Sequence, residues 1–371
     1  MPGWHDRTKN LVADGKLQVF GIAPEQYGDR MALFLQWKKM DFPVLMDPLN
    51  VLGVTAVPIT LLVDESGVIR YLRPKPQDLA TFLETDYPET KRSSQPPARA
   101  PHIEQALKAL QSGKIAEVKE AMASYRKLVE ADKASPADLF HLGVLHRWCY
   151  DHDPSDSAQF QDAVDHWQAA LQEVPGQYIW RRRIQQFGPR LDKPYPFYNW
   201  IEEARGEISA REEAPFPLLV EPSGSEVSSP RRKNEQADSP KKFPDPEGRL
   251  PDSGTALQVT VTLIPHTDQE EERRLHLRLQ PTGSNHWSSD AQEASLWLVP
   301  QEGEPILLTD QPSPITNGKD TSSEARTLEA DLSLEPDEDS HLVLFFSLCE
   351  DEQGVCRFLK KEISLTEKSL P

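Results

Sequence analysis

A multidomain architecture, with an α/β layer, an all-α helical segment and an all-β sandwich in that order, is predicted by three features of the chain. Strand and helix signals alternate over residues 1–87, helical periodicity runs through 102–213, and apolar residues recur at every second position from Ala256 onward. At 371 residues, 37% hydrophobic and with 33 prolines, the chain suits two or three folded units joined by polar linkers.

In the first segment, residues 4–14 (WHDRTKNLVAD) read as a helix with Leu11 and Val12 facing inward, stopped by Gly15. Leu17 to Ala23 is a β-branched and aromatic run, too short and apolar for a surface helix. Asp29 is placed to cap a helix through about Met40, with Met31, Phe34 and Leu35 on one face. Residues 42–46 form a short extended stretch. Pro58–Asp64, the turn Glu65-Ser66-Gly67 and Val68–Leu72 form a hairpin, and 77–85 a closing helix.

Residues 88–101 are polar and proline-rich, a linker by composition. Helices follow at about 102–111, 114–132, 136–150, 157–173 and 177–187, with Ser135-Pro136 and Asp156 as start signals. Residues 214–254 read as a disordered spacer: Pro215 to Pro251 holds eight prolines among serines and mixed charge, too little apolar surface to offset ordering entropy. Beyond it, Leu257, Val259, Val261 and Leu263 alternate with polar residues, as do Leu275, Leu277 and Leu279. Leu328, Ala330, Leu332 and Leu334, with strands at 295–299, 305–309, 341–349 and 355–364, bring the total to about seven, the pattern of an immunoglobulin-like two-sheet sandwich over 255–371.

Charge narrows the range of partners. A formal net charge of −18 repels phosphate backbones and argues against nucleic acid. No apolar run approaches the roughly 18 residues of a membrane span. The opening Met-Pro-Gly-Trp-His-Asp-Arg shows no secretory signal, so the chain as written is expected to be cytoplasmic, unless an upstream segment supplies an export signal. No cofactor motif is assigned.

The motifs of the first segment resemble the redoxin branch of the thioredoxin fold, which contains AhpC/TSA-type peroxiredoxins and thiol-disulfide oxidoreductases. Leu17-Gln-Val-Phe-Gly-Ile-Ala-Pro24 matches the strand after the active-site helix, and Phe42-Pro-Val-Leu-Met-Asp47 the next one. Val51-Leu-Gly-Val-Thr-Ala-Val-Pro-Ile-Thr60 carries the apolar-Pro dipeptide, here Val57-Pro58. The resemblance implies a cis bond before Pro58, a peptide groove lined by Val57 and Pro58, and thiol-disulfide or peroxide chemistry. It also implies a core strand before the first helix and a reactive cysteine at that helix's N-terminus, where the dipole favours thiolate.

Neither is present in this sequence. Cys149 is the first cysteine, so residues 1–87 hold no Cys-x-x-Cys pair and no peroxidatic thiol. The segment is an incomplete α/β thioredoxin-like domain, and two explanations stay open. Either an upstream strand with cysteines precedes Met1, or the domain is degenerate and kept for binding peptides. Loss of that strand is expected to leave the strand at 17–23 and the hairpin at 58–72 with open ladders.

Residues 139–175 resemble one tetratricopeptide repeat, through Leu142-Gly143, Ala163, Trp167, Ala170 and Pro175. Arrays of that kind bind peptides or proteins, and a plain helical domain is the competing reading. His146, Cys149 and Asp153 share a helical face, but one thiolate falls short of a structural zinc site, so no metal is assigned. The run Tyr178–Trp200 gathers seven aromatics and a net charge of +4. Trp180, Arg181, Arg182, Arg183 and Arg190 form a candidate docking surface for an acidic peptide, against the alternative that the aromatics pack and the arginines are solvated.

Cys349 closes one strand and Cys356 opens the next across six residues, so a hairpin can set them opposite each other, about 5.5 Å apart at Cα. Such a bridge contributes only ~2–3 kcal/mol on the chain-entropy model, which leaves room for a reversible pair. The hairpin resembles the immunoglobulin-like N-terminal domain of transmembrane disulfide reductases, which implies electron relay with a thioredoxin-like partner. The acidic turn Glu350-Asp351-Glu352 disfavours thiolate there. The functional expectations are therefore a redoxin-related protein without its usual cysteine, a protein-interaction scaffold, or a redox relay through Cys349 and Cys356.

Overall fold

The computed structural model describes residues 2–89, 99–153, 158–185, 198, 200–220, 222, 242–244, 249–265, 273–288, 294–309, 321–332, 340–350 and 356–365. Helices and several sheets give it mixed α and β content. Its contacts group into two compact units, one of Met1–Cys149, Ala169–Arg181 and Ala204–Pro217, the other of Tyr150–Gln168, Arg182–Glu203 and Leu218–Pro371. The helical stretch is thus apportioned between both units. The linker core at 90–98 and most of the proline-rich spacer lie outside the described residues.

The first unit opens with α1 (Pro2–Ala13), β1 (Gly21–Ala23), α2 (Gly28–Trp37), β2 (Val44–Met46), β3 (Leu61–Val63), β4 (Ile69–Leu72) and α3 (Asp78–Glu84). β1 runs parallel to β2 with Ile22 opposite Leu45. Glycine suits position 21, because a Cβ there would stand 3.1 Å from Val44 Cγ2 and press on that side chain. β3 and β4 pair antiparallel, and no strand among the described residues joins this hairpin to β1–β2. Only Gly21–Ala23 of the expected 17–23 strand forms a ladder; Leu17 instead packs beside the hairpin.

Alternation gives the hairpin two faces. Leu62 and Tyr71 pack against Leu79 and Phe82 of α3 and Trp4 and Leu11 of α1, so both helices cover one side. The opposite side carries Leu61, Val63, Ile69 and Leu72, all exposed. At the turn, the buried Asp64 carboxylate accepts from the Val68 amide at 2.9 Å and from Arg70 Nε at 2.6 Å. Burial raises its pKa, but those two donors outweigh burial and hold it below the ordinary carboxylate value.

α2 ends against the later helical part of the same unit. Arg211 donates to the carbonyls of Gln36 at 3.1 Å and Trp37 at 3.4 Å, placing a cation on the unsatisfied end of the helix. Trp37 Nε1 in turn donates to Glu207 in α9 (Ile201–Ser209) at 2.6 Å.

The helical stretch contains α4 (Pro101–Ser112), α5 (Ile115–Glu130), α6 (Pro136–His152), α7 (Ala158–Glu173) and α8 (Tyr178–Gln185) before α9. Proline starts α4, and Gly113 ends it at φ +68°, a left-handed stop. Ser135 caps α6 reciprocally: its hydroxyl accepts from the Asp138 amide at 3.2 Å, while Asp138 accepts from the Ser135 amide at 2.8 Å.

The second unit holds β5 (Leu250–Pro251), β6 (Leu257–Pro265), β7 (Arg273–Pro281), β8 (Asn285–Ser288), β9 (Ser295–Val299), β10 (Ile306–Thr309), β11 (Thr321–Ser322), β12 (Arg326–Leu332), β13 (His341–Glu350) and β14 (Cys356–Ser364). The order β10-β9-β13-β14-β5, with β8 and β11 attached, makes a seven-stranded sheet, and β12-β7-β6 a three-stranded one. Both contribute to one core, Leu257, Leu275, Leu277 and Leu328 from the smaller, Leu296, Leu342, Leu344 and Phe346 from the larger. The short strands β5, β8 and β11 escape the period-two signal, since two to four residues cannot show an alternation.

The outer face of the smaller sheet is charged and yet buried. Arg274, fully buried, donates to Asp331 from Nε at 2.8 Å and from Nη2 at 3.1 Å, and stands 3.8 Å from Glu329. His276 bonds Glu329 at 3.2 Å, and Phe160 of α7 lies edge-on to its ring at 4.8 Å. The neighbouring Gln161 exchanges two hydrogen bonds with the Leu263 backbone, at 2.7 and 3.0 Å. The helix therefore covers the face that composition alone assigns to water. Replacing Arg274 by alanine removes the buried cation between Glu329 and the half-buried Asp331 and is expected to cost about 3–5 kcal/mol. Urea unfolding followed by circular dichroism tests this, with Arg357→Ala, a half-buried β14 position, as the control.

Candidate functional site

Two places hold the residues singled out in the sequence, and they belong to different units. In the first unit the approach to β3 is built by a polar loop. Asp47 accepts from the amides of Val51 at 2.8 Å and Leu52 at 3.2 Å, and Asn50 bonds both Val54 N and Val54 O at 3.1 and 3.0 Å. Both side chains are buried, so they fix the chain that leads to residues 55–60. Val57 and Pro58 follow, both exposed, with a cis peptide bond between them.

The strands of the same segment expose apolar pairs. Ile22 and Leu45 form one exposed cross-strand pair, Leu61 and Leu72 a second, Val63 and Ile69 a third, and Phe20 is 61% exposed. The outer edges of β1 and β3 carry no ladder partner among the described residues. The segment thus offers backbone donors and acceptors beside bare aliphatic pairs, but no thiol. The chain's first cysteine, Cys149, is buried in α6 with Sγ 3.5 Å from Met122 Sδ.

In the second unit Cys349 and Cys356 face each other in register on β13 and β14 and form a disulfide. Their Cα atoms stand 3.9 Å apart, closer than the expected separation. Cys349 is buried and Cys356 exposed. On its other side Cys349 is paired with His286 of β8. That histidine had no sequence signal, since β8 itself was not legible.

The basic aromatic run divides differently from expectation. Trp180 is buried and stacks on Phe140 at 5.3 Å, and Arg183 is also buried, so neither presents itself for docking. The correction has a simple cause: a large aromatic at helical spacing gains more from packing than from exposure. Arg181 and Arg182 are half-buried, and Arg190 lies outside the described residues. Among the described residues no three His, Cys, Asp or Glu side chains gather in a metal-binding group. No helix there is long and apolar enough to cross a membrane.

One buried titratable network accompanies the loop that leads to Val57. Tyr125 OH stands 3.1 Å from His141 Nδ1, and His102 Nε2 is 2.9 Å from Asp138 Oδ1. His141 also bonds the Leu49 backbone, tying α6 to the loop held by Asp47 and Asn50. Burial drives the His141 pKa down to about 4, and burial likewise raises that of Tyr125. Burial also works to raise Asp138, but Ser135 and His102 outweigh it and hold that carboxyl low.

No protein-family profile matches this chain, and no curated protein matches it. Among solved structures, the Putative ApaA Protein from Bordetella pertussis is similar over 32% of this chain and 98% of its own, at 13% identity and a TM-score of 0.21. A likeness of that size carries no argument about fold or function.

The network predicts acid sensitivity in the first unit. His141 is neutral when folded and takes a proton more readily when unfolded, so its contribution is complete above about pH 6.5 and is lost as pH falls toward 4. Asp138 acts in the same direction at lower pH. Stability is expected to drop by on the order of 2 kcal/mol between pH 7 and pH 4.5. His141→Gln should flatten that slope while lowering stability at pH 7, as read by urea titration at both pH values.

Proposed function

We propose that this chain is a redoxin-related protein whose α/β segment binds extended polypeptide instead of carrying out thiol chemistry. The observation behind this reading is the pairing of β1–β2 and β3–β4 as separate two-stranded sheets flanked by exposed aliphatic pairs. An extended peptide adds to such an edge through main-chain hydrogen bonds, and alternate side chains find the apolar pairs. The order β1, α2, β2, hairpin, α3, with α1 and α3 on one hairpin face, supports the family resemblance. The exposed Val57–Pro58 step lies where the resemblance implies a substrate groove. The lack of cysteine in residues 1–87 removes the nucleophile. The burial of Ala163, Trp167 and Ala170 along α7, at tetratricopeptide-like spacing, is in keeping with an interaction protein.

The expected outcome is binding without turnover. A reduced, carboxymethylated and hence permanently unfolded polypeptide should bind the full chain, and the chain should be silent in insulin disulfide reduction. Leu61→Glu, on the exposed side of the hairpin, should weaken binding at least tenfold with an unchanged circular dichroism spectrum. Equal binding by that variant rejects the strand-edge reading, and insulin reduction rejects the non-catalytic one.

A second reading, redox relay, is favoured by the Cys349–Cys356 disulfide. A partner thiolate would attack the exposed Cys356 sulfur, breaking the bridge and releasing Cys349 as a thiolate that takes up a proton. The partner's second thiol would then release Cys356, leaving two thiols here and a disulfide on the partner. Its test is equilibration with a dithiol protein of the thioredoxin type, read by alkylation of both cysteines. Failure to exchange when dithiothreitol reduces the pair freely would end this reading.

A further inference from the structure

The side of the seven-stranded sheet that faces away from the core carries an aromatic slot. Along β13, Leu342, Leu344, Phe346 and Leu348 enter the core, so Val343, Phe345, Ser347 and Cys349 take the other side. There Trp297, Val343 and Phe345 are almost fully buried, although no second sheet among the described residues lies above that face. Their cover among the described residues includes Phe243, whose ring sits edge-on to Trp297 at 5.2 Å and to Phe345 at 5.3 Å.

Phe243 comes from the proline-rich spacer. From Glu221 to Arg249 the only large hydrophobic residues are Val227 and Phe243, so a single aromatic interrupts a long polar stretch. The chain around it reads Lys-Lys-Phe-Pro-Asp-Pro, poor in competing apolar groups. Downstream, the Arg249 guanidinium lies 4.9 Å from the Phe358 ring and 5.9 Å from Phe345. Leu250 and Pro251 then add to the edge of β14 as β5. Asp252 closes the anchor, accepting from the amides of residues 254–257 and standing 3.4 Å from Lys361 Nζ.

This is how a short peptide is held on a folded surface: one aromatic in a pocket, one arginine stacked, two residues of strand addition. We propose that the slot of Trp297, Val343 and Phe345 is a recognition site for an extended peptide carrying an aromatic residue followed by proline. Residues 242–244 and 249–251 are its resident ligand in cis. The partner that fits is a protein segment of the same chemistry, which displaces Phe243. Tethering gives the resident copy an effective concentration on the order of a millimolar, so a free peptide of equal affinity at micromolar concentration is excluded. The site is independent of the α/β segment, and its failure leaves the reading of that segment untouched.

The test uses the full chain and a fluorescein-labelled peptide of residues 241–251, KKFPDPEGRLP. Phe243→Ala should empty the slot and bind the peptide at least tenfold more tightly than the unsubstituted chain by fluorescence anisotropy. The peptide with its phenylalanine changed to alanine should not bind, and adding Trp297→Ala should abolish binding. Equal anisotropy titrations for the unsubstituted and Phe243→Ala chains, or no binding to a Phe243→Ala chain that still unfolds cooperatively, would overturn the proposal. Loss of cooperative unfolding in that variant would overturn it too, because Phe243 would then be ordinary core.

Discussion

Backbone pairing is the constraint on which the rest of this structure depends. A strand satisfies its amides and carbonyls by a neighbour, by water or by another chain, and each choice leaves a different surface. In the first unit β1 and β3 each have one neighbour, and the side chains beside their open edges are leucine, isoleucine, valine and phenylalanine. In the second unit β13 is flanked on both sides along most of its length, and even the edge of β14 is met by β5. Among the described residues the first unit leaves β1 and β3 with open edges, whereas in the second the edge of β14 is met by β5 from the spacer.

Packing follows from that difference. The second unit builds its core largely from alternating leucines of two sheets, and a second layer of aromatics collects on the far side of the larger sheet. Beneath the hairpin of the first unit Leu62, Leu79 and Phe82 form a buried cluster, and polar ties add support. Asp47 and Asn50 brace their loop from within, while Arg211 on the end of α2 and His141 against Leu49 join the segment to helices of the same unit. Buried polar ties of this kind fix geometry at the expense of acid tolerance.

Much of this was legible in the sequence, for reasons that can be named. The period-two pattern located β6, β7 and β12 because each of these strands has one polar face and one dry one. Ser135-Pro136 located the start of α6 because its cap is local chemistry. The pairing of Cys349 with Cys356 was readable from a six-residue turn between strands. What escaped depends on contacts distant in sequence. Trp180 and Arg183 are buried by packing that their own helix does not encode, and the Arg274 cluster is hidden beneath Phe160 of a helix. Phe243 looked like spacer because its partners lie on β9 and β13.

The account stands most directly on what happens to the open strands when polypeptide binds. Amide hydrogen exchange of the full chain, with and without a permanently unfolded polypeptide, reads this residue by residue. The account requires slowed exchange at Phe20–Ala23 and Leu61–Val63, with β13 and β14 unchanged. Slowing confined to the helices, or binding that leaves both strand edges exchanging as before, would contradict it.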